Sequence, residues 1–153
     1  MAEKYIFNQI PDFEIGAVEH LRTISTESVL DNLARSISEI LSKWNTNVAF
    51  FSLTGSCDVL KARVNNSSAF ARLYTVNQKN PDLNVILRKA QGMVNRQFVR
   101  AIVIEGVPGT LDALTQRRLE DWAKSHNCTM ILGSCVDISY FDELLKEEAP
   151  QGN

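Results

Sequence analysis

A chain of 153 residues and 17.2 kDa is the size of one domain and leaves no room for two independent enzyme domains. Its 44% hydrophobic, 8% aromatic and 22% charged residues exclude a disordered or low-complexity polymer and require a packed core. Sixteen Lys and Arg against eighteen Asp and Glu, a formal net charge of -2, exclude a protein that grips nucleic acid mainly by neutralising phosphates.

The cysteines Cys57, Cys128 and Cys135 are odd in number and lack CxxC spacing, so they suggest neither a disulfide framework nor a zinc site and fit a reduced cytoplasm. No apolar run approaches the roughly 20 residues of a membrane span. The start, Met1–Ile10, carries acidic Glu3 and polar Asn8 rather than a basic-then-apolar leader. A cytoplasmic protein is expected, with residues 1–148 as one α/β domain and 149–153 as a flexible tail.

In chain order, Val29, Leu30, Leu33, Ala34, Ile37, Ile40, Leu41 and Trp44 keep helical spacing behind Ser28, with Asp31 three residues on. The run Val48–Leu53 is apolar without alternation, as in a strand covered on both faces. A short helix follows over Asp58–Val64, with Ser56 or Asp58 as cap. Between the loops at 65–68 and 77–81, Phe70–Val76 has no firm assignment. Leu83, Ile86, Leu87, Ala90, Met93 and Val94 mark the next helix, with Arg88, Lys89 and Arg96 on its solvated side.

Phe98–Gly106 reads as a β-branched strand that ends in a carboxylate and a glycine. A helix capped by Thr110 or Asp112 follows, its inner stripe Leu111, Leu114, Leu119, Trp122 and Ala123, closed by His126-Asn127. Cys128–Gly133 is a third apolar strand, and Phe141–Glu148 a short acidic helix. Helices alternating with fully apolar strands predict a three-layer α/β fold, a mainly parallel central sheet with helices on both faces.

Ligands in such sheets collect beyond the carboxyl ends of the strands, which directs attention to Thr54-Gly55-Ser56, Glu105-Gly106 and Ser134–Asp137. A strand ending in an acid, as Ile102-Val103-Ile104-Glu105 does, suits a carboxylate that organises Mg²⁺ beside phosphates. A strand-end acid serving as a cap partner is the plainer alternative.

The order of segments resembles the RecA-like motor core of DnaB-type replicative helicases and their RecA/KaiC relatives. Ile10-Pro11 with Leu21–Ser25 resembles the lead-in and first strand, and Val29–Ile40, including Asn32-Leu33-Ala34, the helix after the phosphate loop. Asn47–Leu53 is similar to the second strand and Val103-Ile104-Glu105 to the Walker B strand. Leu119–His126 with Thr129–Ser134 resembles the helix and strand placed next. The likeness spans roughly residues 10–135 and implies a truncated RecA-like fold.

The departures from that pattern are catalytic. A Walker A loop needs glycines to bring N–H groups onto phosphate, a Lys for their charge and a Ser or Thr for the metal. Ser25-Thr26-Glu27-Ser28 stands there instead, with no Gly, no Lys and an added carboxylate. Thr54 stands where the pattern has the Glu that activates water, and a hydroxyl cannot take that proton at neutral pH. Cys135 replaces the sensor Gln after Ser134, and the chain is expected to stop before the remaining strands and DNA loops of the motor. Together these argue against hydrolysis and against a bound cofactor.

Other constellations are weaker. Glu105 with Asp112 and Asp137 invites a Toprim-like Mg²⁺ site but lacks the close second acid pair. Ser56-Cys57 has no nucleophile-elbow glycines around it, and only His20 and His126 could act as base. Arg88, Lys89, Arg96, Arg100, Arg117 and Arg118 could form a basic interaction face, or be solvated cations balanced by Glu120 and Asp121. Trp44 and Trp122 fit core stripes rather than base stacking. The acids Glu143, Glu147 and Glu148 solvate the last helix or dock it on a basic partner.

The resemblance with its departures implies a non-catalytic accessory or regulatory protein of DNA replication, recombination or mobile-element maintenance. It would act through another protein, a ring-forming ATPase or a second copy of itself, with DNA touched only indirectly or weakly. The alternatives are a small Mg-dependent nucleotide- or phosphodiester-handling enzyme using Glu105, and a purely structural oligomer subunit.

Overall fold

The apolar runs become the middle of a sheet, because only strands covered on both faces can dispense with polar alternation. The computed structural model describes residues 14–43, 46–64, 72–137 and 139–140. Along them run β1 Val18–Thr23, α1 Thr26–Lys43, β2 Asn47–Ser52, α2 Cys57–Arg63, β3 Leu73–Asn77, α3 Leu83–Gln97, β4 Val99–Glu105, α4 Ala113–Ser125 and β5 Thr129–Cys135. All five strands are parallel, in the order β1-β5-β4-β2-β3. The architecture is the predicted three-layer α/β fold.

The layering follows from the strand order. From β1 through β2 to β3 the chain moves toward one edge, and from β3 through β4 to β5 it moves back. Crossovers of constant right hand must change faces when that direction reverses. Accordingly α1 and α2 pack on one face with Leu21, Val48, Phe50, Val103 and Ile131. On the other face α3 and α4 pack with Ala49, Phe51, Ile102, Ile104 and Leu132.

Capping fixes the helix starts. Ser25 Oγ accepts the Ser28 amide at 3.1 Å, so α1 begins a turn before the Ser28 cap expected from sequence. Asp82 Oδ1 accepts from Asn84 N at 2.8 Å and Asp112 Oδ1 from Thr115 N at 2.7 Å, which starts α3 and α4. That amide bond holds the Asp112 carboxyl below its ordinary pKa.

Several expectations need correction. Phe98 is not in a strand: it closes α3 in the left-handed region, φ 55°, with 72% of its surface exposed. Leu114 is 71% exposed rather than inside, because five residues from Leu119 at 100° each turn it about 140° away from the core stripe. The first strand is Val18–Thr23, beginning three residues before and ending two before the expected Leu21–Ser25. The unassigned Phe70–Val76 supplies β3 from Leu73 on; Phe70 lies outside the described residues. So do Ile10-Pro11, Trp44, the loop at 65–68, the acidic helix Phe141–Glu148 and the tail 149–153.

Candidate functional site

Adjacent strands β4 and β2 send the chain to opposite faces, which opens the crevice where α/β sheets collect ligands. Ser52 and Glu105 are register partners at its floor and are 0% and 2% exposed. Glu105 Oε1 accepts from Ser52 Oγ at 2.6 Å and from Thr54 Oγ1 at 2.7 Å. Ser52 Oγ in turn accepts the Ser56 amide at 2.8 Å, and the Thr54 and Ser56 hydroxyls lie 2.7 Å apart. The acid therefore ties β4 to the start of α2 through Oε1.

The space beside Glu105 is filled from the other side. Glu105 pairs with Gly133 of β5, and a Cβ at Gly133 would lie 2.7 Å from Leu33 Cδ1 and 2.9 Å from Val29 Cγ1. Glycine here lets the first turns of α1 sit directly on the sheet. Only Ile24 and Ser25 separate β1 from α1. Gly106, at φ 97°, turns the chain off the sheet and donates to Gly133 O at 2.9 Å.

A second polar cluster lies on the α3–α4 face, and sequence reasoning missed it. In β1, His20 and Arg22 are 5% and 1% exposed. Arg22 Nη2 lies 2.8 Å from His20 Nδ1, and His20 Nε2 lies 2.6 Å from Ser134 Oγ. Ser134 Oγ donates to Val107 O at 2.8 Å, and Arg22 Nε donates to Gly109 O at 2.5 Å. Guanidinium can only donate, so His20 Nδ1 accepts and Nε2 carries the proton. Burial first, and the Arg22 charge second, hold His20 neutral with a pKa of about 3.

The remaining sequence candidates are spread out. Cys135 and Asp137 are exposed beside an open cleft of about 350 Å³ that Gly109 and Tyr140 also line. Cys57 and Cys128 are buried free thiols, the second pushed up to about 11 by burial. Arg88, Lys89, Arg96, Arg117 and Arg118 are all exposed on α3 and α4, helices that cover the same sheet face. Arg118 donates to Asn84 Oδ1, whereas Lys89 Nζ donates to Gln78 Oε1 at 2.7 Å. Asn84 and Lys89 sit about 140° apart around α3, so these two cations leave on different flanks.

His126 Nδ1 lies 2.8 Å from Trp122 O, with the two rings stacked 4.1 Å apart, so it finishes α4 and is remote from Ser56 and Cys57. Trp122, half-buried, packs against the α3–α4 core. Among the described residues no three His, Cys, Asp or Glu side chains converge, so Glu105, Asp112 and Asp137 are not brought together as a metal cluster. Nor is any helix among them long and apolar enough to cross a membrane. In comparison with known proteins, no family model matches the chain and no curated protein is similar to it.

Proposed function

We propose that this chain is a non-catalytic RecA-like module that works by binding another protein. On this reading it is a cytoplasmic accessory factor of DNA replication, recombination or mobile-element maintenance. The observation that carries the non-catalytic part is the two-residue connection from β1 to α1. A phosphate-cradling loop runs about eight residues from its first glycine to its Ser or Thr; two residues cannot wrap a triphosphate. The packing of Val29 and Leu33 on Gly133, next to Glu105, supports the same reading.

Titration calorimetry with ATP and Mg²⁺ tests it directly. No heat of binding is expected, and micromolar affinity would overturn the proposal. Co-purification with a ring-forming ATPase is the positive counterpart.

A second reading, a Mg-dependent phosphate-handling enzyme, draws on the position of Glu105 in the β2–β4 crevice beside the exposed Thr54 hydroxyl. Magnesium-dependent turnover abolished by Glu105→Gln, with the fold intact, would favour it.

A further inference from the structure

Two contiguous cavities of about 410 and 150 Å³ share Leu83 and Thr115 and run from the strand ends down between α3 and α4. Leu53 and Leu111 line the upper one, and Leu87, Leu119 and Arg118 the lower. Leu114 precedes Arg118 by one helical turn and therefore stands on the same flank of α4. Its side chain is exposed on that flank.

The groove is pre-shaped. Val107 and Pro108 form its upper wall, and the Val107, Pro108 and Gly109 carbonyls are held from behind by Ser134 and Arg22. A wall fixed by buried hydrogen bonds spares an incoming ligand the ordering of that loop.

Its electrostatics have a direction. Helix α3 has no acidic residue, and of its cations Arg88, one turn from Asn84, stands on the groove's flank whereas Lys89 leaves on the other. Arg118, in the groove lining, bonds an uncharged amide, which leaves its charge uncompensated by that contact. Among the described residues the acids on α3, α4 and their caps are Asp82 and Asp112 at the upper end and Glu120 and Asp121 on α4, Asp121 one turn beyond Arg118. On the opposite face Lys43 pairs with Glu39, and Arg63 with Asp31.

We infer that this groove binds an acidic, leucine-bearing segment of a partner protein, in helix-in-groove fashion. Leucine-like side chains occupy the two cavities, and carboxylates lie toward Arg118 and away from Asp112. The inference rests on the partner-binding reading above and adds the partner's chemistry.

Fluorescence anisotropy tests it with the full chain. The probe is a labelled peptide of about 12 residues, roughly 18 Å as a helix, built from Leu and Glu, and the control replaces every Glu by Lys. The Glu peptide binds and the Lys peptide does not. Leu114→Ser and Arg118→Glu, both at exposed positions, each weaken binding about tenfold, while Arg35→Glu on the opposite face leaves it unchanged.

Absence of binding, or equal binding of the Lys peptide, overturns the inference. Binding that appears only in the full-length Leu144→Ser/Leu145→Ser variant makes the chain's own acidic segment the occupant and also overturns it. A dimer by light scattering that Leu114→Ser dissolves makes a second copy the occupant and overturns it likewise. Nucleotide turnover would defeat the non-catalytic reading without touching the peptide result, so the two failures are separable.

Discussion

Two polar clusters stand at the carboxyl ends of the strands, and they differ in kind. Ser52, Thr54 and Glu105 join neighbouring strands at the central crevice, and one member, Thr54, is exposed. His20, Arg22 and Ser134 sit under the β4–α4 loop and have almost no contact with solvent. The first has the residue types of a catalytic site, and its hydrogen bonds link β4 to β2 and to the start of α2. The second has no motif, yet it shapes the wall of the groove between α3 and α4. A strand-end acid is thus a poor guide to function until the donors around it are known.

The contrast is sharpest at Arg22. Its replacement by Ala removes the bonds to His20 and Gly109 and empties a buried volume, which should cost about 3 kcal/mol. Chemical denaturation measures that loss, and hydrogen exchange should show faster opening of residues 107–110.

Acid should separate the clusters next. Folded His20 takes a proton only near pH 3, whereas the unfolded side chain takes one near 6.5. Its contribution is therefore complete above about pH 6.5 and falls by about 1.4 kcal/mol per unit as pH drops toward 3. His20→Gln, which can still donate and accept, should flatten that part of the stability profile; an unchanged slope would refute the neutral, buried histidine.

At the crevice the effects should be smaller. Ser52→Ala removes one donor to Glu105 and the acceptor of the Ser56 amide, for about 1–2 kcal/mol. Glu105→Gln keeps an oxygen for both hydroxyls and should change stability by less than about 1 kcal/mol. Should either match Arg22→Ala in a urea titration, the contrast between the two clusters would collapse.

The sequence made most of the frame legible, because long apolar runs and 3.6-residue periodicity are strong signals: α1, α3, β2, β4 and β5 fall within a few residues of their predicted places. Edge strands carry a weaker signal. In β3, Leu73 is buried while Tyr74, Thr75 and Val76 are half-covered, giving neither a continuous apolar run nor a clean alternation. In β1, Val-Glu-His-Leu-Arg-Thr is polar at four of six positions, yet all six residues are buried.

No local rule reveals that His20 and Arg22 point under a loop nearly ninety residues away, since the partners Val107–Gly109 come from another crossover. Glu105 was legible as a strand end; its hydroxyl partners were legible only as neighbours in space. Leu114 shows the converse, a correctly recognised helix in which five-residue spacing from Leu119 carries one apolar residue outward.

The strand order also bears on how the molecule comes into being. Within the described sheet β1 pairs with β5, the first strand with the last. As the chain leaves the ribosome, β2, β3 and β4 can pair while β1 has no neighbour, and the sheet closes when β5 slots between β1 and β4. His20 and Arg22 stay wet until that moment, because Ser134 is carried in by β5. Closure is thus a late, long-range event, the kind of step that slows folding and lengthens exposure of apolar surface.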